Sequence, residues 1–378
     1  MDRREFLKRV GRAGLTLSAG ALLSGRLLRK AGAADGAQPM LIKLHGSPKE
    51  IGRQYADQAG DLIRERLKLM RERTSRISRE TIQQSRIFLV VKANSVMGEI
   101  EHLAAALNEP EDELLILSAE MPGAGLRQGG CSSFVIDPKV SKDKHVWAGQ
   151  NVDDASELER FGVILLRHPQ DSSPMITWAL AGGVGAIGMN MEGLTLTMDY
   201  MQAEADRLPE AIFPEFLANS ALRQKNFKDA SAVLTQEPLM NACAFLLSDA
   251  EGARLIIERT THIFRAFMPG TRFAAHTNHF TQAEFKTQDA GDKVFPDSKS
   301  RLRRLNALLD RMDLSADDLK KILADTEGKP HGICRFAEPA TIASILMCPK
   351  EKRMLATRGR PDKSAYHEFT LTARPERE

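Results

Sequence analysis

Residues 128–137 read "QGGCSSFVID". Two glycines precede Cys131, and an apolar run of strand length follows it. Upstream, the pattern is helical. Downstream, it is a series of short β-branched and aromatic runs separated by turn residues, such as Asp137-Pro138. Cys131 therefore stands where the character of the chain changes. Two readings fit the step itself. One is an ordinary buried thiol opening a strand. The other is a self-cleaving bond, because Gly130 has no side chain to obstruct attack by the cysteine on the preceding carbonyl. A cysteine freed in that way carries its own base, an α-amine with a pKa near 7.7–8.0, and needs no histidine.

Working toward the N-terminus, "PGAGLRQGG" (122–130) is a glycine-rich connector. Before it, helices are expected from Ser47, over about 80–107, and over about 109–121. Ser47, Pro48 and Glu50 form a capping box with proline at the first helical position. Ile51, Tyr55, Ala59, Leu62, Ile63, Leu67 and Met70 then recur at three- and four-residue steps.

Residues 1–34 pair a basic start, Arg3-Arg4, with a short apolar stretch and the small-residue run "AGAA" at 31–34. This is the pattern of a twin-arginine export signal, and the expected location is periplasmic or secreted. The apolar stretch is too short and too rich in Gly and Ser for a bilayer about 30 Å thick, so no stable span is expected once the signal is removed. The segment carries a net +6 while the whole chain carries +3, leaving the remainder near −3. That balance gives no reason to expect a nucleic-acid partner. Four cysteines in 378 residues do not make a disulfide framework.

Toward the C-terminus, strands alternate with helix clusters. Helices are expected near 214–221, 228–234, 298–312 and 316–325. Antiparallel runs broken by helices indicate an α+β fold. "GVGAIG" (183–188) matches a dinucleotide fingerprint, but a turn at Glu192-Gly193 and a strand follow it, so the helix that holds a pyrophosphate is missing. In "HTNHF", His276 and His279 have no third ligand at metal-site spacing. They read as hydrogen-bonded histidines near a surface. A Cys–His protease of the papain type would use one of them with Cys131.

Five pieces, in order, resemble the acyl-coenzyme A:6-aminopenicillanate acyltransferase family, peptidase family C45 of the N-terminal nucleophile (Ntn) hydrolases. They are "HGSPKEIGRQYADQ", "GGCSSF", "GQNVDD", "HTNHF" with "SKSRLRRL", and "HGICRF" followed by "TIASILMCP" and "RGRP". Together they run across residues 45–360. The resemblance implies a four-layer αββα sandwich. It implies a helical segment 35–130 and a catalytic fragment 131–378 that stay associated after cleavage between Gly130 and Cys131.

It also implies roles. Cys131 is the nucleophile. Asp153 accepts from the new α-ammonium. Asn278 donates to the oxyanion, and Arg301 lowers the thiol pKa or binds a carboxylate. Ser133, Asn151 and Ser300 are supporting polar residues. The expected activity is that of a cysteine amidohydrolase or acyltransferase acting on a small N-acyl substrate, with hydrolysis ahead of transfer and no metal or organic cofactor. A binding protein that keeps the fold without the chemistry is the rival from another class. Val152 and Phe336 stand where the family often has an aromatic residue and a histidine, so the substrate does not carry over.

Overall fold

The computed structural model describes residues 38–73, 78–119, 129–204, 211–270 and 272–375. The proposed signal at 1–34, with Arg3 and Arg4, and most of the connector before Gly129 lie outside the described residues.

The chain opens with β1 (Met40–Gly46), a strand the helical reading of residues 35–130 did not include. Ile42 and Leu44 turn inward while Lys43 faces solvent. The capping box then starts α1 (Pro48–Arg73), with the Glu50 amide donating to Ser47 Oγ and the Ser47 amide to Glu50 Oε2. The long helix expected over 80–107 is two helices, α2 (Arg79–Lys92) and α3 (Asn94–Leu107). They are separated at Ala93, whose φ of −146° and ψ of 49° lie outside the helical region. α4 (Glu111–Ser118) completes this group.

Thirteen further strands follow among the described residues. They are β2 (Cys131–Ile136), β3 (Trp147–Asp154), β4 (Gly162–Pro169), β5 (Met175–Leu180), β6 (Ile187–Asn190), β7 (Thr195–Tyr200), β8 (Cys243–Ser248), β9 (Arg254–Arg259), β10 (Phe264–Phe267), β11 (Phe273–His276), β12 (Ala340–Cys348), β13 (Arg353–Arg358) and β14 (His367–Thr370). Helices α5 (Pro214–Leu222), α6 (Phe227–Leu234), the short α7 (Gly291–Val294), α8 (Ser298–Leu309) and α9 (Ala316–Leu323) lie between them. "GVGAIG" leads into the β6–β7 hairpin, with Glu192 and Gly193 in its turn, and no helix follows.

Two sheets result. One has eight strands in the order β1-β4-β5-β6-β7-β8-β9-β10, and the other six in the order β11-β2-β3-β12-β13-β14. The only parallel pair in these ladders among the described residues is β1 with β4, seven residues long from Met40↔Val163 to Gly46↔Pro169.

The sheets pack face to face where β2 and β3 meet β7 and β8. Gln150 joins them, its side-chain amide donating to the Met198 carbonyl at 2.6 Å and accepting from the Met198 amide at 3.1 Å. On the outer face of the six-stranded sheet, Phe134, Ile136 and Trp147 pack against Leu305, Leu309, Leu319 and Ile322 of α8 and α9. Gly149 permits this, because a Cβ there would stand 2.6 Å from the Phe134 ring. Helices α1, α5 and α6 cover the eight-stranded sheet. The result is a four-layer αββα sandwich, with side chains of β2 and β3 alternating between the inter-sheet space and the helical layer.

Candidate active site

Cys131 is the first residue of β2 and pairs with Val152 of β3. Its side chain faces the inter-sheet space and only 6% of the residue is exposed. The peptide bond before it is held from both sides. The Gly130 carbonyl accepts from the Asp153 amide at 2.8 Å, and the Cys131 amide donates to Asn278 Oδ1 at 2.9 Å. Gly130 fits only because it has no side chain. A Cβ would stand 2.8 Å from Arg335 Nη1 and 3.0 Å from Asp153 Oδ2.

Four elements converge here. From α8, Arg301 donates through Nη1 to the Cys131 carbonyl and to Ser132 Oγ, and through Nη2 to Asn278 Oδ1 at 2.7 Å. Its Nε donates to Asp297 Oδ2 at 2.6 Å. Arg335, from the loop before β12, donates to the same Asp297 oxygen at 2.8 Å. Burial draws the Asp297 carboxyl upward, but Arg301 and Arg335 outweigh it, and its pKa lies below the ordinary value. Asn278 completes its own amide by donating from Nδ2 to the Tyr200 carbonyl at 2.7 Å.

Asp153 is buried at the end of β3. Thr341 Oγ1 donates to its Oδ1 at 2.6 Å. Its Oδ2 has no hydrogen-bond partner among the described residues and lies 3.9 Å from Arg335 Nε. Burial raises its pKa from 3.8 to about 6, against the pull of Arg335 and Arg301. A buried carboxyl with an unsatisfied oxygen beside a peptide bond is costly, and such groups concentrate at reactive sites.

The Cys131 thiol is also pushed up. Burial is the main cause, with Asp199 and Asp153 adding to it, and Gln150 and Arg301 opposing. Arg301 thus does not produce a low-pKa thiol in the uncut chain, because desolvation wins.

Ser133 lies on the inter-sheet face and donates to Asp199 Oδ2. Asn151 and Ser300 are not at the site. Asn151 Nδ2 donates to the Leu323 and Ile333 carbonyls at 2.8 and 2.9 Å, fastening α9 and the loop beyond it to β3. Ser300 is exposed and donates to the Asp297 carbonyl. The inward serine is Ser298, whose Oγ accepts from the Asn278 amide at 2.7 Å. Helical phase distinguishes them, since Ser298, Arg301 and Leu305 recur at steps of three and four while Ser300 falls between.

The histidines are buried, not near the surface. His276 has Nε2 3.1 Å from Glu258 Oε1 and Nδ1 3.6 Å from Asp199 Oδ2. Burial works against its charge, but these two carboxylates raise its pKa from 6.5 to about 9. His279 Nδ1 lies 2.7 Å from Ser298 Oγ, and burial lowers its pKa to about 4. Each ring has a polar partner other than Cys131, Glu258 for His276 and Ser298 for His279.

Two sheets packed face to face between helical layers, with Cys131 opening the first strand of the six-stranded sheet, make up the frame of this site. A sequence profile of the acyl-coenzyme A:6-aminopenicillanic acid acyl-transferase family matches residues 140–363, and the chain belongs to that family. Among solved structures it is similar to an N-acylethanolamine-hydrolyzing acid amidase ortholog from Caenorhabditis elegans, at 12% identity and a TM-score of 0.43 over 58% of this chain and 93% of that one. It is also similar to penicillin V acylase from Agrobacterium tumefaciens, at 14% identity and a TM-score of 0.42 over 60% and 83%. A conjugated bile acid hydrolase variant from Clostridium perfringens gives 10% and 0.36 over 64% and 97%.

Proposed function

We propose that the chain is an exported precursor that cuts its own Gly130–Cys131 bond and then hydrolyses N-acyl amides through a thioester on Cys131. The observation that carries this is the double grip on that peptide bond, by the Asp153 amide on its carbonyl and by Asn278 on its N–H. Sγ attacks the Gly130 carbonyl carbon, the C–N bond breaks, and the thiol proton passes to the departing Cys131 nitrogen. Water then splits the thioester, giving a Gly130 carboxylate and a free Cys131 with an α-amine.

In the cut enzyme that amine takes the thiol proton, replacing the histidine of other cysteine hydrolases. Asp153 Oδ2, unpaired and beside the cut, accepts from the resulting ammonium. The second hydrogen of Asn278 Nδ2 serves the oxyanion, a donor type worth about 2.7–4 kcal/mol when removed. A substrate acyl group takes the place that the Gly130 acyl group leaves, so self-cleavage and turnover share one geometry. The Arg3-Arg4 pair supports export, and acyl-coenzyme A is scarce outside the cytoplasm, which favours hydrolysis of an N-acyl amide over a coenzyme A-dependent reaction.

The test is denaturing electrophoresis with N-terminal sequencing. Two fragments are expected, the larger beginning at Cys131, and Cys131→Ala gives a single inactive band. A single band from active protein overturns self-processing, and cleavage retained in Cys131→Ala assigns it to another protease. Failure of a thiol-acylating probe to label Cys131 of the cut protein supports a non-catalytic binding protein instead. Mass analysis after exposure to a panel of N-acyl amides then identifies the acyl group.

A further inference from the structure

At the far end of β3 from Cys131, three side chains of metal-ligand type converge. His145 Nδ1 lies 3.7 Å from Cys348 Sγ and 3.2 Å from Glu351 Oε1, and the three atoms all fall within 4.8 Å of one another. They come from two separate segments, the loop ahead of β3 and the turn between β12 and β13. We propose that this cluster binds one zinc-like divalent cation through Cys348, His145 and Glu351.

The spacing carries the assignment. Ligands at about 2.3 Å (sulfur) and about 2.0–2.2 Å (nitrogen, oxygen) on a tetrahedral zinc ion stand roughly 3.6 Å (S to N) and roughly 3.4 Å (N to O) apart. The observed separations are 3.7 and 3.2 Å. The surroundings also hold the ligands in place. Glu351 gives its other oxygen to Arg353 at 2.6 Å, which leaves Oε1 directed at His145. Burial, the largest effect, raises the Cys348 thiol to about 11, with the Glu351 amide opposing it, so the spacing alone carries the proposal. The His145 amide donates to Asp143 Oδ1 at 3.1 Å, and Asp143 is itself fixed by Trp147 Nε1. Outer partners of this kind set ligand orientation at metal sites. The fourth position is left to a water molecule.

A thiolate, an imidazole and a carboxylate select zinc-like ions over calcium or magnesium, which take all-oxygen sets. On binding, the Cys348 thiol releases its proton to solvent. His145 is seven residues from Val152, the partner of Cys131, so the site lies about 23 Å from the nucleophile at the strand rise of about 3.3 Å per residue. Its effect is to tie the β12–β13 turn to the entry of β3.

The experiment uses the full-length chain, reduced and stripped with a chelator, then titrated with cobalt(II). One equivalent is expected to produce a near-ultraviolet thiolate-to-cobalt band and tetrahedral visible bands, both bleached by zinc. The bands persist in Cys131→Ser and disappear in Cys348→Ser. His145→Asn, at a partly exposed position, weakens cobalt binding at least tenfold and remains informative if the buried cysteine variant does not fold. No thiolate band at one equivalent, full affinity in His145→Asn, or a band lost in Cys131→Ser and kept in Cys348→Ser overturns the proposal and leaves His145 and Glu351 as an ion pair.

Discussion

Replacing Asp153 by Asn in a Cys131→Ala background separates the cost of the buried carboxyl from its use in catalysis. Under the proposed self-cleavage the Cys131→Ala chain is expected to stay uncut, so both proteins would have the same covalent structure. The Asp153 pKa is 3.8 in its ordinary state and about 6 when folded, a difference of about 2 units. At 1.36 kcal/mol per unit, that is about 3 kcal/mol. The folded pKa is the higher one, so between these values the native state holds more protons than the unfolded state, and stability falls as pH rises. The contribution is complete below about pH 4 and is lost as pH passes through about 6. Asn does not titrate. The stability of the Asp153→Asn double variant relative to Cys131→Ala should therefore rise by up to about 3 kcal/mol between pH 4 and pH 7.5. Urea unfolding at the two pH values reads this directly. A flat difference refutes the reasoning. A difference of opposite slope means that Arg301 and Arg335 hold Asp153 ionised and that burial does not dominate.

Gly130→Ala puts a methyl group against Arg335 and Asp153, and fragment formation followed on gels should slow at least tenfold, equivalent to about 1.4 kcal/mol. His276 is charged between Asp199 and Glu258 with its pKa raised from 6.5 to about 9, so it contributes stability that is complete below pH 6.5 and lost as pH rises through about 9. Unfolding of Cys131→Ala should show up to about 3 kcal/mol of this, and adding His276→Gln should abolish that slope. Asn151→Ala leaves the Leu323 and Ile333 carbonyls without their donor and should cost about 1–3 kcal/mol in urea unfolding, with the same two fragments still formed.

Signals that lie within a few residues of one another were legible in the sequence. The Ser47–Glu50 box, the strand opening at Cys131 and the turn that turns "GVGAIG" into a hairpin depend only on neighbours, and the structure has each of them. The strand β1 was not read, although Ile42 and Leu44 alternate with Lys43 and His45. Two inward apolar residues are a weak signal, and the strand's partner lies more than 100 residues away. Asp297 and Arg335 were missed for a similar reason. Arg335 lies inside "HGICRF" and Asp297 directly precedes "SKSRLRRL", but neither piece assigns them a role, and their value comes from meeting Arg301 and Asp153 in space. Ser298, by contrast, is legible, because it stands three residues before Arg301 and so shares its helix face.

The parallel ladder between β1 and β4 gives the proposed cut an unusual consequence. Once Gly130 and Cys131 part, the strand Met40–Gly46 belongs to one polypeptide and its neighbour Val163–Pro169 to another. What had been an internal ladder becomes an intermolecular interface, reinforced by Tyr55, whose hydroxyl accepts from the Gly182 amide at 2.7 Å, and by Arg66, which donates to the Ala181 carbonyl at 2.8 Å. The mature enzyme is then formally a heterodimer whose subunits were never separate in solution. Its integrity would be described by a dissociation rate instead of by a single unfolding equilibrium.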